Sequence, residues 1–350
     1  MKLSIHSKSA LIATTFATAL ALVGCGDKTL DFRNAQINNG KVYAGDSNTP
    51  FSGKVTNVPA GTIFGSQQGY GKLLNTVNAA RPGTTLGDMG ASSMCDAQAR
   101  DGLLSGQVVC KTAQSDTIRI EANFADGILD GSFTVHDQTG NNTFVELSFK
   151  QGMPDGKLKI YSPATGKLIH TATCDAGVLN GEEEGFDETT GNRILHATLN
   201  HGKYEGEFTR YVPDGKQVIY KANFAEGQHD GDEEAFDPQT GKMTGQAHYT
   251  NGKLDGIVRH WNAEGSLLDE KTYEKGVDVA AAKADAEKQE KSTEADEALN
   301  DPVIGRCVQD LRGAYKEKNN TSIDNDDLII AWRDQCKKQS ATPTAQSQIQ

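Results

Sequence analysis

A pair of glycines four residues apart recurs seven times along the chain, always at a step of 25 residues. The first glycines of the pairs are Gly102, Gly127, Gly152, Gly177, Gly202, Gly227 and Gly252, and the second are Gly106, Gly131, Gly156, Gly181, Gly206, Gly231 and Gly256. A fixed period of this size is typical of repeat proteins, in which each short unit is stable only when it stacks on its neighbours. The sequence therefore predicts an array of stacked units.

The segments between the glycines have the pattern of β-strands. Apolar and polar residues alternate over residues 157–161 and 167–173, and glycine turns bound both segments. An acidic residue or Asn precedes the second glycine in six units, which is the composition of a tight hairpin turn. A further glycine turn follows in each unit, as at Thr139-Gly140. Each unit is thus predicted as strand, turn, strand, turn, and the fold class as mainly β, an elongated antiparallel hairpin array.

Large side chains recur at two further positions of the unit. One aromatic ladder follows the second glycine, and another row of mostly apolar residues precedes the first glycine. The members are His136, Tyr161, Phe186, Tyr211, Phe236 and Trp261 in the ladder, and Phe124, Phe149, Cys174, Leu199, Phe224 and Tyr249 in the row. We interpret both as core, because stacking requires one large side chain per unit, with a ligand-binding role for the ladder as the alternative. Cys174 is interpreted as a small buried hydrophobe, with a reactive thiol as the alternative.

The first 25 residues have the layout of a secretory leader. Lys2 and Lys8 precede an apolar run at residues 10–23, which is too short to span a bilayer. The ending at Cys25 resembles a bacterial lipobox, in which the cysteine is acylated and the leader is cleaved just before it. The resemblance implies a lipid anchor on Cys25, and Gly26 in the next position favours the outer membrane, with the chain facing the periplasm. An ordinary signal peptide is the alternative.

Five further cysteines follow Cys25 in a chain predicted to reach a compartment where disulfides persist. By proximity we pair Cys95 with Cys110 and Cys307 with Cys336, which leaves Cys174 unpaired, although the sequence alone does not determine the connectivity. No Cys-x-x-Cys or Cys/His cluster has zinc spacing, so no metal site is predicted.

The motifs of common enzymes are missing from the sequence. It contains no Gly-x-Ser-x-Gly elbow and no His-Glu-x-x-His pair, and its histidines are scattered through the repeats. We predict that the protein is not an enzyme, with no catalytic residues and no cofactor. The net charge of −12 argues against nucleic acid as a partner.

Two alternate repeats carry three acidic residues directly after the second glycine. They are Glu182, Glu183 and Glu184 in one repeat, and Asp232, Glu233 and Glu234 in the other. At two strands per repeat these clusters would lie about 20 Å apart on the same face of the sheet. We predict a docking surface for a basic protein partner, with solubility of an exposed sheet as the alternative.

Several phrases of the sequence carry a resemblance to a known family. Residues 251–256 read Asn-Gly-Lys-Leu-Asp-Gly and are followed by Trp261 and Glu264-Gly265, with earlier copies at 151–156 and 226–231. Together with residues 39–43 and 49–55 they resemble bacterial MORN-like repeat proteins, specifically the YwqK-like antitoxin variant, over residues 28–55 and 100–276.

That resemblance implies an interaction or immunity module without established catalysis. We therefore expect a lipid-anchored, protein-binding scaffold that neutralises a secreted antibacterial effector, in its most specific version a lipase of a contact-dependent secretion system. The alternative is a structural lipoprotein of the cell envelope that organises outer-membrane proteins.

The remaining segments complete the predicted organisation. It comprises a signal peptide at 1–24, an anchor and first β segment at 25–55, a polar Gly-rich insertion at 56–100, the repeat array at 101–276, a charged helix or linker at 277–300, a disulfide-stapled helical unit at 301–338 and a disordered tail at 339–350. The insertion has two interpretations, a disordered excursion and a functional loop. In the helical unit, one helix face is predicted to carry Val303, Cys307 and Leu311, and another to carry Ile329, Trp332 and Cys336.

Overall fold

A computed structural model describes residues 28–81, 83–321 and 325–341. The predicted signal peptide, Cys25 and most of the predicted tail lie outside these residues. The chain divides into two compact units, Met1–Pro154 and Asp155–Gln350.

The first unit is an antiparallel sheet with two helices inserted into it. Its strands are β1 (Thr29–Asp31), β2 (Ala35–Asn38), β3 (Lys41–Ala44), β4 (Gly53–Pro59), β5 (Met94–Arg100), β6 (Leu103–Lys111), β7 (Ile118–Ala125), β8 (Ile128–His136) and β9 (Thr143–Lys150), and its helices are α1 (Ala60–Phe64) and α2 (Gln68–Ala80), with a 3-10 turn at Phe32–Asn34. Strands β4 to β9 pair in chain order, β1 pairs with β4 in parallel, and β2 and β3 form a separate hairpin.

The second unit continues the same hairpin pattern and ends in three helices. Its strands are β10 (Met153–Tyr161, which begins at the end of the first unit), β11 (Leu168–Asp175), β12 (Val178–Phe186), β13 (Arg193–Asn200), β14 (Lys203–Tyr204), β15 (Gly206–Tyr211), β16 (Val218–Ala225), β17 (Gln228–Phe236), β18 (Met243–Thr250), β19 (Lys253–Leu254), β20 (Gly256–Trp261), β21 (Leu267–Glu274) and β22 (Val277–Asp278). The helices are α3 (Val279–Asn300), α4 (Gly305–Asn319) and α5 (Asp326–Ser340). The predicted fold class, a mainly β hairpin array with a C-terminal helical part, is confirmed.

The tight hairpin turn of each repeat lies at the first glycine of the pair. In the repeat built from β7 and β8, Asp126 and Gly127 have φ values of 49° and 85°. Two consecutive residues with positive φ are the signature of a type I′ turn, whose twist matches that of the paired strands. The prediction that the second glycine makes this turn was wrong.

The second glycine lies inside a strand, at a β-bulge. Ala122 pairs with Phe133 and Phe124 pairs with Leu129, so three residues around Gly131 face the single residue Asn123. Gly131 has a φ of 104°, which a bulge tolerates best with glycine. An Asp-Gly pair suits both a turn and a bulge, which is why composition alone did not distinguish them.

Strand alternation divides the array into two faces. The inner face is the face that carries Phe124 and Phe133. The same repeat positions, 100 residues later, are occupied by Phe224 and Glu233. We call the opposite face the outer face. On the inner face small residues lie beside each large one, since Glu233 pairs with both Ala222 and Ala247. This small neighbour recurs as Ala97, Ala122, Ala172, Ala197, Ala222 and Ala247, all buried.

The aromatic ladder that the sequence predicted as core is only half-buried. Each member of the ladder lies at the end of a strand, where the register shifts, as it does between Val135 and His136. The fully buried side chains of the strand lie one residue and three residues before the ladder position. They include Phe133, Val135, Leu158 and Ile160. The ladder prediction was therefore wrong, whereas Cys174 is buried as predicted, at 5% exposure.

Residues 60–80, part of the predicted insertion, form two helices that cover the inner face of the first unit. The ring of Phe64 lies 6.0 Å from that of Phe124 and 5.8 Å from that of Phe133, and Tyr70 lies 6.0 Å from Phe133. Phe64, Leu73 and Val77 of these helices are at most 1% exposed. The helices approach so closely that a Cβ on Gly69 would collide with the carbonyl oxygen of Gly152.

The C-terminal helices form a small core of their own. Ala295 and Ala298 of α3 pack with Val308, Ile329 and Cys336, and α3 also contacts β21. The Cys307–Cys336 disulfide joins α4 to α5. Of the predicted helix faces, Cys307, Leu311, Ile329, Trp332 and Cys336 belong to this core, but Val303 is 78% exposed, because α4 begins only at Gly305.

Candidate functional site

The six acidic residues predicted to form one docking face are divided between the two faces of the sheet. In β12, Glu182 is exposed while Glu183 is buried at 6% exposure, since successive side chains of a strand point to opposite faces. Strand β17 repeats this arrangement, with Asp232 and Glu234 on the outer face and Glu233 on the inner face. The prediction of a single acidic face was wrong.

On the outer face the acidic side chains alternate with basic ones. Glu184 pairs with Arg193 at 3.2 Å, and Asp232 pairs with His248 at 2.7 Å. The neighbouring Lys221 pairs with Glu207 at 2.9 Å. Exposed pairs of this kind contribute little energy individually, and together they leave the outer face mixed in charge.

Glu183 lies in a buried polar cluster on the inner face. Its Oε1 is 3.1 Å from His170 Nε2, and the two side chains are 9% and 11% exposed. The imidazole is not aligned for a hydrogen bond, and Glu183 Oε2 has no hydrogen-bond partner among the described residues. Burial, followed by the charge of Glu183, raises the pKa of Tyr204 to about 12. The side chains of Glu183 and His170 are thus nearly closed to solvent.

Glu233 occupies the equivalent position two repeats later but is accessible. Tyr220, at the position equivalent to His170, donates a 2.9 Å hydrogen bond from its hydroxyl to Glu233 Oε2. His229 Nδ1 lies 2.8 Å from the same oxygen, within ion-pair distance although the ring is not aligned for a hydrogen bond. The side chains of Glu233 and His229 are 25% and 31% exposed, so a partner can reach this carboxylate.

Six rings form a continuous surface next to Glu233, which contacts two of them, Tyr220 and His229. We call this surface the inner aromatic patch: Tyr204, Phe208, Tyr220, Phe224, His229 and Tyr249. Neighbouring ring centroids are 4.4 Å apart for Phe224 and His229, 4.8 Å for His229 and Tyr249, and 5.2 Å to 6.1 Å for the remaining contacts. All six residues are half-buried. The patch therefore offers ring surface to solvent.

The periodic pattern of the sequence did not predict this patch, because its rings come from four different repeat positions. Only Phe224 and Tyr249 share one of the predicted rows, and the others are brought beside them by strand pairing. Glu233 itself was singled out, but as one of six acidic residues on a single face.

The chemistry of the inner aromatic patch suits a cation with apolar surroundings. Burial, followed by the hydrogen bond to Glu233, raises the pKa of Tyr220, and burial, followed by the charge of Glu233, raises that of Tyr249. Both phenols thus stay neutral and present π-faces next to a carboxylate. Aromatic faces and a carboxylate each attract Lys, Arg and other organic cations.

The other predicted residues have structural surroundings. Burial, followed by the charge of Asp155, raises the pKa of Cys174 to about 11, so the thiol is protonated at neutral pH. Cys95 and Cys110 are bonded to each other across β5 and β6, and Cys307 to Cys336, the two pairs predicted from proximity. Within the described residues no group of three or more His, Cys, Asp or Glu side chains is arranged to hold a metal ion.

None of the helices among the described residues combines the length and apolar character needed to cross a bilayer. Cys25, the predicted lipidation site, lies outside the described residues.

No protein-family model matches this chain, and no curated protein matches it either. The MORN-like resemblance therefore depends on the repeat motifs alone.

Proposed function

We propose that this protein is a non-enzymatic, protein-binding repeat scaffold that acts as an immunity protein against a secreted antibacterial effector. The observation that carries the proposal is the inner aromatic patch, whose six rings and neighbouring residue Glu233 are half-exposed in the second unit. In the first unit, α1 and α2 cover Phe124 and Phe133, the repeat equivalents of Phe224 and Glu233.

Exposed aromatic rings are costly in a protein that has no use for them. Contiguous apolar surface on a soluble protein marks a site of interaction, and Tyr, Trp and Arg contribute most of the energy at protein interfaces. A row of half-exposed rings on a rigid, hydrogen-bonded sheet is therefore a suitable surface on which to hold a partner protein.

The leader supports the proposed location. A lipid anchor on Cys25 would hold the array at the periplasmic side of the outer membrane, because several acyl chains together make attachment effectively permanent. An effector that arrives in the periplasm to attack lipid, such as a lipase of a contact-dependent secretion system, would meet the array before its substrate.

The test is survival of a deletion strain in competition with its parent strain. We expect loss of the gene to sensitise cells to their siblings, and restoration of the full-length gene to rescue them. A matched Cys25→Ser variant, which lacks the lipidation site, should rescue less well. Equal survival of parent and deletion strains would contradict the immunity proposal.

Affinity capture from crosslinked cells provides the second readout. Recovery of one secreted protein in near-equal amount supports the proposal. Recovery of a set of outer-membrane proteins, with altered cell shape or permeability in the deletion strain, would support the envelope scaffold instead.

A further inference from the structure

Building on the proposed function, we propose that the inner aromatic patch binds an amphipathic helix of the partner protein, which places a Lys or Arg side chain against Glu233.

The first unit shows what the inner face of this array receives. Phe64 of α1 contacts Phe124 and Phe133, which are the repeat equivalents of Phe224 and Glu233. Helix α2 continues over the same surface, where Tyr70 contacts Phe133. Side chains of helices therefore pack against the inner face of the array in the first unit.

A polar contact fixes the approach of those helices to the strand ends. Gln67 Nε2 donates to the carbonyl oxygen of Gly127 at 3.1 Å, and the amide of Leu129 donates to Gln67 Oε1 at 3.3 Å. The equivalent residues in the second unit, Gly227 and His229, occupy the same turn of their own repeat. The turn that would receive a partner helix is thus repeated in the second unit, and the ring of Phe124 recurs there as Phe224.

The two surfaces differ in charge at the position of Phe133 and Glu233. Where α1 and α2 meet the ring of Phe133, which is fully buried, a partner would meet the carboxylate of Glu233. A helix that covers this carboxylate removes it from water, and an uncompensated buried charge is strongly unfavourable. A cationic side chain of the partner compensates the charge and packs against the surrounding ring faces.

Charge also argues against a second copy of this chain as the occupant. The chain carries a net charge of −12. Two copies would repel each other, whereas a basic segment of another protein is attracted to the patch.

The binding experiment uses the full lipidated chain in phosphatidylcholine nanodiscs, with empty nanodiscs as the blank. The probe is a labelled synthetic helix of about five turns, with Leu on one face, Gln and Ser on the other and a single Arg at the centre of the apolar face. Two control peptides carry Glu in place of Arg, or the same residues in scrambled order. Binding is followed by fluorescence anisotropy.

We expect the Arg peptide to bind the native chain and the Glu peptide to bind at least tenfold more weakly. Glu233→Lys should weaken binding of the Arg peptide at least tenfold and improve binding of the Glu peptide. The matched control Asp232→Lys makes the same charge change one residue away on the outer face and should change affinity less than twofold. Glu233→Gln, which keeps the shape of the side chain, covers the case in which the Lys variant does not fold.

Equal losses in Glu233→Lys and Asp232→Lys would show non-specific charge attraction and overturn the inference. Equal binding of the scrambled peptide would show that a cation without a helix suffices, which overturns it as well. So would failure of the Arg peptide to bind the native chain.

Effector capture separates this inference from the function on which it rests. If the Glu233→Lys chain still captures the effector and protects cells, the inner aromatic patch is not the binding site, while the immunity function holds. If no effector is captured by the native chain and deletion has no effect on survival, the immunity function fails, and Glu233-dependent binding of the peptide still establishes the patch.

Discussion

His170 Nε2 lies 3.1 Å from Glu183 Oε1 in a nearly solvent-free pair on the inner face of the array. Other repeats place apolar residues at these two positions, among them Val145 and Leu158. A polar pair has therefore replaced two core residues within an otherwise unchanged strand register.

Replacing both members of this pair by the residues of the neighbouring repeats should stabilise the protein. We expect the double variant His170→Val with Glu183→Leu to gain roughly 1 kcal/mol or more in the free energy of unfolding, because Glu183 Oε2 is buried without a hydrogen-bond partner among the described residues and does not recover its desolvation cost. The single variant His170→Val leaves the buried carboxylate without its partner and should lose stability. Urea unfolding followed by circular dichroism checks both, and a destabilised double variant would contradict the prediction.

Two glycines of α2 should respond to alanine in opposite directions. Gly69→Ala should cost about 1 to 3 kcal/mol, because the new Cβ collides with the backbone at Gly152. Gly71→Ala has open space around it and should gain up to about 1 kcal/mol from helix propensity. Thermal unfolding of the two variants beside the native protein tests the close approach of α2 to the sheet. Equal effects would contradict it.

The loops between hairpins should make stability depend on pH in the acidic range. The backbone N–H of Thr190, which donates to Asp187 at 2.8 Å, lowers the pKa of Asp187, and the Thr190 hydroxyl lowers it further. The backbone N–H and the hydroxyl of Thr240 lower the pKa of Asp237 in the same way. Since the folded pKa values lie below the unfolded value of about 3.9, this stability is present above that pH and is lost as pH falls through the folded values.

The double variant Asp187→Asn with Asp237→Asn tests this loop contribution. Its deficit relative to the native protein should be largest near neutral pH and should shrink in strong acid, as measured by urea midpoints across the range. Asp285→Asn on the exposed helix α3 makes the same kind of charge change without these hydrogen bonds and serves as the control. A deficit that does not change with pH would count against the prediction.

Removing the disulfide between α4 and α5 should loosen the helical core alone. The bond closes a sequence separation of 29 residues, for which the chain-entropy account gives roughly 3 to 4 kcal/mol. We expect Cys307→Ser with Cys336→Ser to lose amide hydrogen-exchange protection in these helices while strand β12 keeps its own. Loss of protection throughout the second unit would show instead that the helices stabilise the sheet.

Cys174 should be unreactive until the sheet opens. Its thiol is buried and its pKa is raised to about 11, so little thiolate forms at neutral pH. A colourimetric thiol reagent should detect it in guanidinium chloride but not in the native protein, and Cys174→Ala provides the blank. Rapid labelling in the native state would revive the reactive-thiol interpretation.

The sequence by itself determined the period, the hairpin units and the antiparallel class, and proximity indicated the cysteine pairs without fixing their connectivity. These properties depend on local rules: glycine where φ is positive, as at Gly127, alternation along a strand, and cysteines close in sequence. The same rules were insufficient where one composition fits two conformations, so that the bulge at Gly131 was predicted as a turn.

Only the tertiary structure decided which side chains meet. Glu183 and Glu233 share a repeat position, yet one is nearly closed to solvent and the other lies next to six half-exposed rings. The difference arises from residues of other strands, since Tyr220 donates a hydrogen bond to Glu233 at the position where Glu183 faces His170. Strand register and the position of an inserted segment depend on packing between residues far apart in sequence, so a periodic pattern could predict the array but not the surface that binds.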